Sequence, residues 1–464
     1  MLSQVIIFQG INLVVLLATG IFVLNHGHPK NEYKQLTSPF NILIKPTGPI
    51  CNLDCDYCFY LEKESQFPKT TTFKMTQEVL ETFIQKYIES QPYPSVHFTW
   101  QGGEPTILGV PYFEEVIRLQ EKHSKGKQIT NAIQTNGVLL DDVWGKFLRK
   151  HEFLVGISID GPQPLHDHLR LNKNATGTFD EVMAGLNILK KHGVEFNTLT
   201  VVNRRNQDQA KVIYDFLKSI DSKHWQFIPA VERTRTDGFL AAPHEHHGIE
   251  LTEWSVEPIA YGKFLTEIFD RWIRKDVGHI YIQHFEAALA NLMGRPSGVC
   301  IWNATCGQAL AVEHNGDLYS CDHYVFPEYH LGNALETPLP ELVASEAQLK
   351  FGLEKQSGLT QTCQECEVLN LCHGECPKHR FATGKYGEEG HNYLCTGYKQ
   401  FFTSIRPDLG VLKELLEMGQ PTENVMQWMQ EKDAGFPNID AEANDPCPCG
   451  SGQTFSDCCF KNQL

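Results

Sequence analysis

The chain has 464 residues, 41% hydrophobic and 21% charged, the balance of a soluble globular protein too long for one simple core. A net charge of −16 argues against a nucleic-acid partner held through its phosphates, which requires a basic face. Fifteen cysteines, an odd count, fit a disulfide framework poorly; their spacings are those of metal ligands and point to a reducing compartment.

In chain order, Val5–Leu24 is an apolar run long enough to cross a bilayer, interrupted by Gln9, Asn12 and Thr19. No Lys or Arg precedes it, so the charged start of a secretory signal is missing. Lys30 and Lys34 follow it and would keep the rest of the chain on the cytoplasmic side if it inserts. A membrane anchor, a signal segment, and an upstream start artefact or packed helix are the competing readings of residues 1–36.

From Phe40 onward strand and helix patterns alternate. Strands are predicted at Phe40–Lys45, Ser95–Trp100, Ile129–Gln134, Leu154–Ile159, Glu195–Val202 and Trp225–Pro229, with helices such as Gln77–Glu89 and Phe179–His192 between them. Six such units imply a parallel sheet with right-handed crossovers, curled into an open or partial barrel over residues 37–295. Chemistry in such barrels sits at the carboxyl ends of the strands. Cys51, Gly102, Asn136 and Asp160 all fall there. After residue 296 cysteines become dense and periodic elements short, which marks a cluster-bearing domain to about residue 405. A helical linker over 406–443, with its helix near Val411–Lys432, then leads to a Cys-rich tail at 444–464. No internal repeat is present.

The cysteines fall into three groups. Cys51, Cys55 and Cys58 have the spacing C-x3-C-x2-C. Three thiolates on one loop can hold three irons of a [4Fe–4S] cluster and leave the fourth open to a ligand. A zinc or structural cysteine site is the plainer alternative. Cys300, Cys306, Cys321, Cys363, Cys366, Cys372, Cys376 and Cys395 are enough for two fully ligated clusters, although two zinc sites fit the count as well. Cys447, Cys449, Cys458 and Cys459 are four soft ligands suited to tetrahedral Zn²⁺.

The triplet, with Gly102-Gly103-Glu104-Pro105 and Ser158-Ile-Asp160-Gly161, resembles the radical S-adenosylmethionine (SAM) enzymes. That resemblance implies that SAM coordinates the open iron. It implies that Gly102 and Gly103 recognise the SAM amino group through their backbone, Ser158 the ribose and Arg170 the carboxylate. Tyr57 would touch SAM or screen the cluster, and Val231 would pack on the adenine. A surface ion pair is the alternative for Arg170, and ordinary core packing for Val231. The later eight cysteines resemble a SPASM domain, which implies one auxiliary cluster on Cys300, Cys306, Cys321 and Cys376 and another on Cys363, Cys366, Cys372 and Cys395. The tail resembles the SEC-C zinc motif.

Cys51–Lys63, Phe98–Thr106, Gln134–Gly137, Ser320–Val325 and Gly374–Phe381 together resemble the anaerobic sulfatase-maturating enzymes over residues 37 to 405. The resemblance implies oxidation of a Cys or Ser in an unfolded sulfatase, within a C/S-x-P/A-x-R type motif, to Cα-formylglycine. It implies a flavodoxin- or ferredoxin-type electron donor and a cytoplasmic enzyme, with Asp322 as the base. An Asp beside a ligand also serves simply to cap a turn or tune a cluster. His323 and His379 lie near the clusters but are not assigned as ligands. A SPASM maturase that crosslinks a ribosomal peptide is the nearest alternative. It commonly carries a recognition domain before the barrel, and Asn25–Pro39 is too short for one. A non-enzymatic iron–sulfur electron carrier is the alternative of another class; it leaves the open-site triplet unexplained.

Overall fold

The computed structural model describes residues 40–434, except 68, 69, 71, 246 and 247, together with Thr454. The apolar run Val5–Leu24 and the four tail cysteines lie outside the described residues. Among the described residues no helix is long and apolar enough to cross a membrane.

Six strands, β1 (Asn41–Ile44), β2 (Ser95–Trp100), β3 (Gln128–Thr135), β4 (Leu154–Ser158), β5 (Phe196–Val202) and β6 (His224–Pro229), pair consecutively and in parallel. These are the six expected strands, with ends shifted by a residue or so. The order β1-β2-β3-β4-β5-β6 with helical crossovers is the partial (β/α)6 barrel. Helix α1 (Gln77–Ser90) starts where the Thr76 side chain accepts from the Val79 N–H at 3.3 Å. It buries Leu80, Phe83, Ile84 and Tyr87 on one stripe. Helix α2 (Phe179–His192) stops at Gly193, whose φ of 64° is left-handed.

The sheet does not end with the barrel. Strand β7 (Tyr281–Ile282) adds to β6, and β8 (Ala309–Val312) pairs in parallel with β1, from Asn41↔Ala309 to Ile44↔Val312. Antiparallel β9 (Asp317–Tyr319) and β10 (His330–Asn333) follow β8, giving ten strands in one sheet. The cluster-bearing segment after residue 296 is therefore hydrogen-bonded to the barrel edge.

The C-terminal helices correct one expectation. Helix α3 (Pro258–Lys275) packs against α5 (Cys395–Glu417), with α4 (Glu346–Ser357) between them in sequence. Helix α5 begins at Cys395 and crosses residue 405 without a break, carrying Pro407 inside it. Its Ile405, Leu409 and Leu412, and Val425 and Met429 of α6 (Asn424–Asp433), are buried in the main core. The described part of 406–443 is thus packed structure rather than a linker, because its apolar stripe needs α3 to cover it. The α3–α5 crossing is close: a Cβ on Gly397 would lie 1.8 Å from the Pro258 carbonyl oxygen, and one on Gly262 would lie 2.3 Å from that of Gly397.

Candidate active site

Cys51, Cys55 and Cys58 stand on the loop after β1. Its backbone pairs with the segment after β4: Asp54 N–H donates to Leu171 O at 2.8 Å and Asp56 N–H to Leu169 O at 3.0 Å. Its other side lies on the turn after β2, where Gly103 N–H donates to Gly48 O and Glu104 N–H to Ile50 O. A Cβ on Gly103 would sit 2.0 Å from Ile50 O, so only glycine permits this approach. Gly102 has a φ of 136°, again a glycine conformation.

Glu104 staples β2 to β3. Its buried carboxylate accepts from Thr106 N–H and Oγ1, from Thr135 Oγ1 at 2.8 Å and from Asn136 N–H at 2.7 Å. Burial raises its pKa, against the pull of these donors. Asn136 passes the connection on, donating to Asn52 Oδ1 at 2.8 Å and lying 3.7 Å from Cys51 Sγ.

Asp160, after β4, organises the opposite wall. One oxygen accepts from Tyr57 Oη at 2.5 Å and Arg170 Nε at 3.1 Å, and the other from Val201 N–H at 2.9 Å. Arg170 also lies over the Tyr57 ring, 5.4 Å from its centroid. Arg170 is 7% exposed, so its partner is an internal carboxylate and not a surface ion pair. Ser158 is buried at the end of β4, and Val231 is buried in the main core just after β6. The structure thus gathers Tyr57, Gly102, Gly103, Ser158 and Arg170 at the carboxyl ends of β1–β4.

The chemistry of the donor set fits an iron–sulfur cluster. Burial pushes the Cys51 thiol up to about 11 and the Cys55 thiol up to about 12, so neutral thiols are favoured until a cation holds them as thiolates. No disulfide joins the eleven described cysteines. Among the described residues no three His, Cys, Asp or Glu side chains converge on a single-ion site; a four-iron cluster separates its thiolates more widely than one ion does.

The later thiols sort themselves by proximity. Burial raises Cys306, Cys321 and Cys376 first, and the thiols that act on them most strongly are Cys300, Cys306 and Cys321. Burial likewise raises Cys372 and Cys395, whose thiol neighbours are Cys363, Cys366 and Cys395.

Asp322 follows Cys321 and is buried against the barrel mouth, where it forms an ion pair with Lys45 at the end of β1. Burial alone would raise its pKa, but Lys45, with His323 and Lys63, holds the carboxyl below the usual range. Lys45 also lies 4.1 Å over the Tyr60 ring, and Tyr60 donates to buried Glu313. Beside this group opens a cavity of about 260 Å³, walled by Phe59 and Lys63, by Glu232 and Lys378, and by His323 and Phe326. Glu232 pairs with Lys378, while Lys63, 5% exposed, lies over the Phe326 ring. Burial, outweighing Glu232, lowers the Lys63 pKa to about 7. His323 rests on Phe59, with ring centroids 4.6 Å apart.

Lys45, Lys63 and Glu313 were not among the sequence candidates. Lysine ending an apolar strand was the available signal for Lys45; the others needed the tertiary fold.

Family models match this chain as Radical SAM superfamily over residues 46–217, iron–sulfur cluster-binding SPASM domain over 300–367 and SEC-C motif over 444–461. It is 45% identical over 402 residues to a serine-type anaerobic sulfatase-maturating enzyme of Bacteroides thetaiotaomicron, covering 86% of this chain and 97% of that one. It is 33% identical over 374 residues to a cysteine-type enzyme of Clostridium perfringens, covering 80% and 97%. A solved structure described as native anSMEcpe with bound AdoMet and Cp18Cys peptide superposes with a TM-score of 0.72 at 32% identity, over 82% of this chain and 99% of that chain. A barrel mouth that joins the thiol triplet to the glycine turn, and agreement along nearly the full length of these relatives, lead to one assignment: the chain belongs to the anaerobic sulfatase-maturating enzymes.

Proposed function

We propose that this enzyme oxidises a Cys or Ser side chain of an unfolded sulfatase, in a C/S-x-P/A-x-R type segment, to Cα-formylglycine. The observation that carries the reading is Asp322. It follows a cysteine of the later set, yet it docks on Lys45 at the barrel mouth, beside a cavity walled by residues following Cys58. Higher identity to a serine-type relative than to a cysteine-type one favours Ser as the residue oxidised.

The site would hold one [4Fe–4S] cluster on Cys51, Cys55 and Cys58, auxiliary clusters on the two later sets, and SAM against Gly102, Gly103, Ser158 and Arg170. When bound, this assembly supplies a 5′-deoxyadenosyl radical that takes the Cβ hydrogen and a route for the second electron. The protein's own work is orientation and proton handling. Asp160 fixes the Arg170 guanidinium, so that its remaining donors can meet a carboxylate. Tyr57, tied to the same Asp160, walls the triplet. Asp322 stays ionised beside Lys45 and takes the hydroxyl or thiol proton. Val231 closes the adenine side.

In this reading residues 37–295 form the SAM-binding part and 296–405 the auxiliary-cluster part. The tail at 444–464 binds Zn²⁺ through Cys447, Cys449, Cys458 and Cys459, and a low-potential flavodoxin or ferredoxin is the electron donor. The enzyme works in the cytoplasm, on the membrane face if residues 1–36 insert.

The test is anaerobic reconstitution with SAM, reductant and paired Ser- and Cys-containing peptides. Aldehyde formation on the peptide with 5′-deoxyadenosine release is the expected result. SAM cleavage with an internal peptide crosslink and no aldehyde would replace the reading with the crosslinking one.

A further inference from the structure

Two sets of four thiols imply two centres, and one residue lies between them. The turn Cys372-His373-Gly374-Glu375-Cys376 carries a thiol of the second set at its start and one of the first at its end. Its three inner residues all have left-handed φ, 50° at His373, 71° at Gly374 and 52° at Glu375. Left-handed backbone is uncommon for non-glycine residues and is adopted here twice in three positions. The conformation turns the Glu375 side chain inward: the residue is 0% exposed. One carboxylate oxygen pairs with His379 Nδ1 at 2.9 Å and accepts from Asn392 Nδ2 at 2.7 Å. The other, Oε1, is buried with no hydrogen-bond partner.

Such a group is costly to bury. Two donors, His379 and Asn392, converge on the one oxygen and hold the carboxylate in place. Its charge acts on both sides. Glu375 is an electrostatic neighbour of Cys300, Cys306 and Cys376 in one set and of Cys372 in the other. Lys355 lies beside the first set, where its Nζ donates to Cys300 O at 2.6 Å, and Arg380 Nη1 donates to Lys355 O at 2.7 Å.

We propose that Glu375 is a positioning residue for electron transfer, a fixed buried anion between the two auxiliary-cluster sites that lowers the reduction potentials of both together. The argument is Coulombic. Adding an electron beside a negative charge in a poorly screened interior is disfavoured, and one charge touching two sites moves both in the same direction. The proposal rests on the two-cluster reading above.

The test is an anaerobic redox titration of reconstituted full-length enzyme, followed by electron paramagnetic resonance, on the wild type, Glu375→Gln and Glu375→Asp. Iron and sulfide are measured on each. Both auxiliary potentials should rise in Glu375→Gln, stay near wild type in Glu375→Asp, and leave the SAM-binding cluster unmoved. Unchanged auxiliary potentials in fully loaded Glu375→Gln, movement of only one, or the same shift in Glu375→Asp would overturn the proposal. Wild-type protein lacking two auxiliary signals would instead overturn the cluster reading itself. Should Glu375→Gln fail to load, Asn392→Ser withdraws a donor and leaves the charge less compensated. Both potentials should then fall, and no movement there would also refute the role.

Discussion

Replacing Gly397 with Ala tests how the second thiol set is held. The added Cβ would lie 1.8 Å from Pro258 O, where ordinary contact begins at 3.4 Å, so α3 and α5 would have to part by about 1.6 Å. The obstacle is backbone on a helix start, which cannot rotate aside as a side chain can. Overpacking of this kind costs about 1–3 kcal/mol. The displacement falls two residues from Cys395, the first residue of α5. On the reading proposed above, a thiol moved by that much would no longer meet its iron in a cluster whose other three irons are held by Cys363, Cys366 and Cys372. Gly397→Ala is therefore expected to lower the denaturation midpoint and to lose about a third of the bound iron, one cluster of three. The assays are chemical denaturation and iron analysis after anaerobic reconstitution. Gly262→Ala, which presses on the same crossing from α3, should act in the same direction. Full iron content together with an unchanged midpoint in Gly397→Ala would refute the reasoning.

Asp322→Asn should keep SAM cleavage and lower aldehyde formation about 10²–10⁴-fold, the usual worth of a positioned base; product analysis by mass spectrometry separates the two. Gly103→Ala should abolish SAM-dependent change in the cluster spectrum, since its Cβ meets the Ile50 carbonyl and displaces the Cys51 loop. Lys63 is a base whose folded pKa, about 7, lies below its ordinary 10.5, so it disfavours folding below pH 7 and that penalty lifts as pH rises toward 10.5. Lys63→Met should accordingly stabilise the protein more at pH 6.5 than at pH 9, relative to wild type, in denaturant titrations at both values. Ending the chain near Asp433 should remove zinc and leave iron intact, as metal analysis would show.

The barrel was legible because its strands are short apolar runs followed within a few residues by cysteine, glycine, asparagine or aspartate, so both the fold and the edge bearing the site were written locally. The count of eight later cysteines was legible in the sequence, while their division into two sets rests on family likeness. What stayed hidden is contact between distant segments. Nothing local ties Lys45 to Asp322, which lie on neighbouring regions of one sheet only because β8 pairs with β1. Arg170 reads as a surface residue until Asp160 and Tyr57 are seen to enclose it. The start of α5 was missed for a local reason: Gly397, Pro407 and Gly410 weaken the helical pattern, and packing on α3 overrides them.

The ladder between β1 and β8 also has a consequence for the speed of the enzyme. Electron tunnelling falls off steeply with separation, so a carrier that swung on a flexible tether would deliver charge at a fluctuating pace. Four consecutive residue pairs instead clamp the strand preceding the Cys51 loop to β8, whose antiparallel neighbour β9 leads into Cys321. On the reading proposed above, the gap an electron would cross is thereby set at folding, and turnover would not wait for two bodies to meet.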